Sequence, residues 1–140
     1  MAQVDKMRER VDASAGSLVG NYNKNIDVTS TDAFVVALDI DSRGVRQSVI
    51  TIFNTHATNS IDYDIWGNPD LLCAITDITT TCDTNYDNGW VSLKGTTAQA
   101  AGVAPAIQTL DNPYTRIVVR IKATSGGNQG TVRVWHRGEN

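Results

Sequence analysis

The chain has 140 residues, a formal charge of −3 and 41% hydrophobic residues, so a single domain can bury a core without metals or disulfides. Its composition is rich in Thr, Asn, Asp and Gly and poor in Lys and Glu, which favours strands and turns over helices. No apolar run approaches the roughly 18 residues that span a bilayer, and Met1–Lys6 lacks the apolar centre of a signal peptide. The expectation is a soluble chain made in the cytoplasm, with no membrane partner.

Residues 1–25 differ in pattern from the rest of the chain. Val4, Met7 and Val11 recur at helical spacing among Asp5, Lys6, Arg8, Glu9 and Arg10, which predicts a short amphipathic helix to about Ala13. Such a helix is at or below the ~12–15 residues that stand alone in water. Residues 13–25 read as an extended linker. The alternatives are a frayed terminus and an arm that orders against a neighbouring subunit, and the arm is favoured. The chain therefore divides into an arm, 1–25, and a domain, 26–140.

From Ile26 onward strands come in close succession. Ala33–Asp41 is nearly continuous in apolar residues, as in a strand covered on both faces. Arg43 and Gly44 turn the chain into Val45–Asn54. After a polar loop, Ile61, Tyr63 and Ile65 alternate with Asp62, Asp64 and Trp66 until Pro69 ends the pattern. Leu71–Ile78 reads as a strand, Thr79–Gly89 as a polar excursion and Trp90–Lys94 as a strand. Thr96–Ala106 is small and Ala/Gly-rich. Ile107–Leu110 then leads through the turn Asp111–Tyr114.

The last two strands carry the clearest signal. Thr115–Thr124 places Ile117, Val119, Ile121 and Ala123 on one face, and Thr131–Arg137 places Val132, Val134 and His136 on one face. With Gly126, Gly127 and Gly130 between them, the two predict a hairpin. Its other face would gather Arg116, Arg120, Lys122, Arg133 and Arg137 around Trp135, and no acid occurs from Asn112 to Gly138. By contrast His56–Leu93 holds six aspartates and no Lys or Arg. Either both regions simply face water, or one copy's basic hairpin meets another copy's acidic loops. In the second case those five cations and Trp135 are the partner-binding residues. A nucleic acid is opposed by the acidic pI near 5.2. About eight strands with no internal repeat match an all-β fold, an antiparallel β-sandwich, with a jelly roll among the arrangements open to it.

Chemistry is hard to find. Asp83, Asn85 and Asp87 alternate as ligands do in a calcium loop, but Gly89 falls one place late and Lys94 stands where a bidentate Glu belongs. A looser calcium site including Asp62 or Asp64 stays open. Cys73 and Cys82 suit a small disulfide loop, although two thiols are the cytosolic default. There is no Cys-x-x-Cys and there are two histidines, so no zinc set is visible. No Gly-x-Ser-x-Gly elbow and no phosphate loop occurs. His136 reads as a hydrogen-bonded core residue and His56 as exposed. No glutamate lies between Glu9 and Glu139, so a two-carboxylate glycosidase would run on aspartate alone. The expectation is a protein that is not an enzyme and has no cofactor or metal.

Asn54–Trp66 and Tyr114–Arg137, with the arm and the Thr/Asn/Gly-rich loops, resemble the small virion proteins of tailed viruses, especially capsid decoration proteins. The resemblance implies a homo-oligomer, often a trimer, on a capsid or other virion lattice, with the virion as location. It implies no particular contact residues. A carbohydrate-binding module is the alternative, with Trp66, Trp90, Tyr86 and Tyr114 as a stacking platform.

Overall fold

The computed structural model describes residues 22–78, 89–111 and 114–139. Eight strands run through them: β1 (Tyr22–Thr29), β2 (Val35–Asp41), β3 (Gln47–Asn54), β4 (Ile61–Asn68), β5 (Val91–Gln99), β6 (Ala106–Leu110), β7 (Arg116–Ala123) and β8 (Thr131–Glu139). They form two four-stranded sheets, in the orders β1-β8-β3-β6 and β2-β7-β4-β5, and all pairings are antiparallel. The first strand pairs with the last, the second with the seventh, the third with the sixth and the fourth with the fifth. A long ribbon of paired strands rolled on itself has this order, which is that of a jelly roll.

Period-two alternation produces the core. In β8 every second residue from Val132 to Gly138 is buried, and in β3 the buried positions are Ser48, Ile50, Ile52 and Asn54. Inward side chains of both sheets meet in one cluster that includes Leu38, Ile40, Ile50, Ile52, Ile61, Tyr63 and Ile65. Ile117, Val119, Ile121, Val132 and Val134 belong to the same cluster, as the alternation predicts.

The predicted hairpin is not formed. β7 and β8 are consecutive in the chain but lie in different sheets, joined by a loop that crosses the edge of the sandwich. Alternation fixes which residues face the core, not the side of the core on which the strand lies. Both arms satisfy it from opposite sides. The connecting loop is tied to the β1–β2 turn: Asp32 Oδ1 accepts from the Gly127 N–H at 2.8 Å and from Gln129 Nε2 at 2.6 Å, and Ser30 Oγ accepts from the Gly130 N–H at 2.9 Å. The Gly127 and Gln129 donors hold the Asp32 carboxyl below its usual pKa. Gly127 turns at φ 81°, and a Cβ on Gly130 would lie 2.5 Å from Ile61 Cγ2.

Three further differences matter. β1 begins at Tyr22, inside the expected linker, and pairs with β8 through a bulge between Asn25 and Val28 where Asp27 has φ 59°. Leu71–Ile78 is not a strand: it is a turn leading into a single 3₁₀ turn, Ile75–Asp77. There the Asn68 and Asp70 side chains accept backbone N–H groups of Asp70 and Leu72, offering the chain an alternative to a ladder. β5 continues past Lys94 to Gln99, whose buried amide bonds Ile52 O and Ala104 O. No helix among the described residues is long and apolar enough to cross a membrane.

Candidate interaction surfaces

The two sheets differ on their outer faces. On the β2-β7-β4-β5 sheet, Val118 and Trp66 point outward yet are buried, with Trp90 and Ile78 packed on them. The cover is the described part of the connection between β4 and β5, residues 69–78 with Trp90. Arg120 reaches it from β7, forming a two-point ion pair with Asp64 (Nε–Oδ1 3.0 Å, Nη2–Oδ2 2.5 Å) and donating from Nη1 to Ile78 O at 3.4 Å. Its guanidinium lies 4.4 Å from the centre of the Phe34 ring and 5.5 Å from that of Trp66. Trp66 Nε1 donates to the same carboxylate at 2.9 Å.

Arg116 repeats the device further along β7. It pairs with Asp39 at 2.9 and 2.7 Å and donates from Nη1 to the carbonyls of Leu71 and Cys73. The Asp39 carboxylate raises the guanidinium pKa further. Trp90 lies beneath it, 5.4 Å away, and its indole N–H donates to Ala74 O at 3.0 Å. Asp64 is 3% exposed, and Arg120 is the cation that pairs with it there. The cover is thus pinned by two arginines and two indoles.

The β1-β8-β3-β6 sheet has no comparable cover among the described residues. Its outward side chains run in cross-strand rows, Lys24 with Trp135, Thr51 and Ile107, then Arg137 with Val49 and Thr109, then Arg133 with Phe53. Gln47, Val49, Thr51, Trp135, Arg137 and Glu139 line a shallow cavity of about 300 Å³. Trp135 is half-buried and Ile107 is 65% exposed. Arg133 and Arg137 are exposed and make no ion pair or hydrogen bond among the described residues.

The six residues expected to share one face are therefore divided between opposite sides of the sandwich. Arg116, Arg120 and Lys122 lie on the covered sheet, where the first two are matched by Asp39 and Asp64 and the third stands opposite Asp62, its ammonium 5.1 Å from the Phe34 ring. Arg133, Trp135 and Arg137 lie on the bare one. The acidic partners are legible in the sequence as aspartates in otherwise apolar strands, and Asp64 is the direct cross-strand neighbour of Arg120.

The remaining candidates fall elsewhere. Trp66 and Trp90 are buried, so they form no platform for sugar stacking. Tyr114 is half-buried over Gly67, and Tyr86 lies outside the described residues. The Asp83–Asp87 loop and Cys82 also lie outside them. Asp64 is held by Arg120 and Asp62 accepts from Thr124, and no group of three metal-ligating side chains occurs among the described residues. His136 points inward as expected, 2.9 Å from Ser48 Oγ, and burial lowers its pKa to about 4. His56 is half-buried, not exposed, and its Nδ1 accepts the N–H groups of Thr58 and Asn59, shaping the loop.

No protein-family model matches the sequence, and no curated protein is similar to it. Similar folds occur among solved structures. A Yersinia pseudotuberculosis-derived mitogen has a TM-score of 0.50 at 10% identity, covering 86% of this chain and 87% of that one. A protein of the disulfide-linked pili of Bacillus endospore appendages has 0.48 at 12%, covering 85% and 88%. The infectious bursal disease virus VP2 subviral particle has 0.37 at 8%, covering 84% of this chain and 32% of that one. At 10% identity the likeness to the mitogen extends to the fold alone.

Proposed function

We propose that the chain is a non-enzymatic structural subunit that self-assembles and adds to the surface of a capsid, as the resemblance to small virion proteins implies. The observation that supports this is the contrast between the two outer sheet faces. One is covered by residues 69–78 and Trp90 of the β4–β5 connection, which the ion-paired Arg116 and Arg120 fasten. The other presents Trp135, Val49, Phe53 and Ile107 beside Arg133 and Arg137, which make no ion pair among the described residues. A part-apolar, part-cationic sheet face of this kind is what a partner covers in an assembly.

The test is the mass of the purified protein in solution by light scattering across concentration, with and without residues 1–21. The expected result is a discrete oligomer or a concentration-dependent assembly. A chain that stays monomeric at high concentration in both forms overturns the reading.

A further inference from the structure

Of the five cations expected on one face, Arg116, Arg120 and Lys122 lie on the same side of the sandwich as Asp39, Asp62 and Asp64, and Arg133 and Arg137 on the other. This geometry determines how copies can meet. The β1-β8-β3-β6 face carries Lys24, Arg133 and Arg137 in the rows on and beside that of Trp135; of these Arg137 lines the cavity, together with Glu139. The covered side sets Asp39, Asp62 and Asp64 against its sheet cations, and the described part of the cover, residues 69–78, adds Asp70 and Asp77, both exposed. From that same cover Leu72 projects with 89% of its surface exposed. An apolar knob flanked by aspartates thus stands on one side of the molecule, and on the other a mixed cavity in which Val49 and Trp135 lie beside Gln47, Thr51, Arg137 and Glu139.

We propose that the β1-β8-β3-β6 face of one copy receives residues 69–78 of a second copy's β4–β5 connection, with Leu72 against Trp135 and Asp70 and Asp77 facing Arg133 and Arg137. Two bare faces meeting each other would set Lys24, Arg133 and Arg137 against their own counterparts, so like-to-like pairing is opposed. The contact joins different surfaces of the two copies. Repeated, it closes into a ring or continues as a filament, and it does not stop at a two-fold dimer. This inference rests on the self-assembly reading and names the surfaces that assembly uses.

The experiment is sedimentation of the wild type and three variants at low and high salt. The wild type should associate, and association should weaken as the Debye length falls from about 10 Å at 0.1 M to 3 Å at 1 M salt. Arg133→Glu with Arg137→Glu, and separately Asp70→Lys with Asp77→Lys, should each weaken association by about tenfold or more. Mixing these two variants should restore it, because each then meets a surface of opposite sign. Leu72→Ser, at a position too exposed to affect folding, should weaken association without altering thermal unfolding. Wild-type-like association of either charge-reversal variant overturns the proposal while leaving self-assembly standing, as does failure of the mixture to recover. An assembly that stops at a dimer, or protection of Trp135 from quenching by the chain's own residues 1–21, also overturns it. A monomeric wild type overturns the proposal and self-assembly together.

Discussion

At the scale of single residues, two arginines of the same sequence pattern have opposite roles. Arg120 neutralises Asp64, which is 3% exposed, and is stacked between Phe34 and Trp66, whereas Arg133 projects into solvent. Removing one member of a buried pair leaves the other charged and unpaired, so Arg120→Met should lower stability by about 3–5 kcal/mol. Arg133→Met should lie within about 0.5 kcal/mol of the wild type. Urea unfolding of both variants checks this. A near-neutral Arg120→Met would mean that the cover is held without Arg120, by Arg116 and the indoles. His136 makes a second prediction. Its folded pKa, about 4, lies below the ordinary 6.5 because burial disfavours the charged ring. Such a group stabilises the fold fully above the unfolded value, and that contribution is lost as pH falls from 6.5 toward 4, when the unfolded chain binds the extra proton. The loss is roughly 3 kcal/mol by about pH 4. In His136→Leu the difference in unfolding free energy between about pH 7 and pH 4, measured in urea, should shrink by that amount. An unchanged difference would show that the imidazole accepts its proton without unfolding.

At the scale of elements, the sequence carries side-chain direction well and strand partners poorly. Ile117, Val119, Ile121, Val132, Val134 and His136 all face the core as their alternation predicts, yet β7 pairs with β2 and β4, and β8 with β1 and β3, instead of with each other. Parity is a local property that the chain displays residue by residue. Pairing is decided by strands as far apart as Tyr22 and Arg137. The same reason divides the expected cationic face, since that face depends on a pairing that does not occur. β1 is half hidden because Tyr22-Asn-Lys-Asn25 has no apolar alternation, and Leu71–Ile78 resembles a strand because its polar competitors, Asn68 and Asp70, sit just before it. β1 also yields a test. Deleting residues 1–21 leaves its pairs with β8 intact, whereas deleting 1–29 strips β8 of one neighbour and opens a sheet edge. The shorter deletion should keep the thermal midpoint, and the longer one should lower it and cause aggregation, as read by calorimetry and light scattering. Equal behaviour would mean that β1 contributes nothing to holding the sheet.

At the scale of the whole molecule, the rolled ribbon makes nearly every pairing long-range, so the native contacts form only after large loops close. Refolding should therefore take milliseconds to seconds, which stopped-flow fluorescence of the buried Trp66 and Trp90 can track; microsecond folding would contradict it. The rolled order also has a topological consequence. Because Tyr22 stands beside Arg137 on antiparallel strands, the beginning of β1 and the end of β8 emerge together at one end of the sandwich. A short turn joining Glu139 to Tyr22 would convert these two strands into an ordinary hairpin, and the chain could then be opened elsewhere. The β5–β6 turn at Gly102 suits the cut, being exposed and having no atom within 4 Å of where its Cβ would be. In such a permuted chain every hydrogen-bonded strand pair survives while the order of synthesis changes, so the architecture belongs to the closed ribbon and not to the place where it happens to be cut.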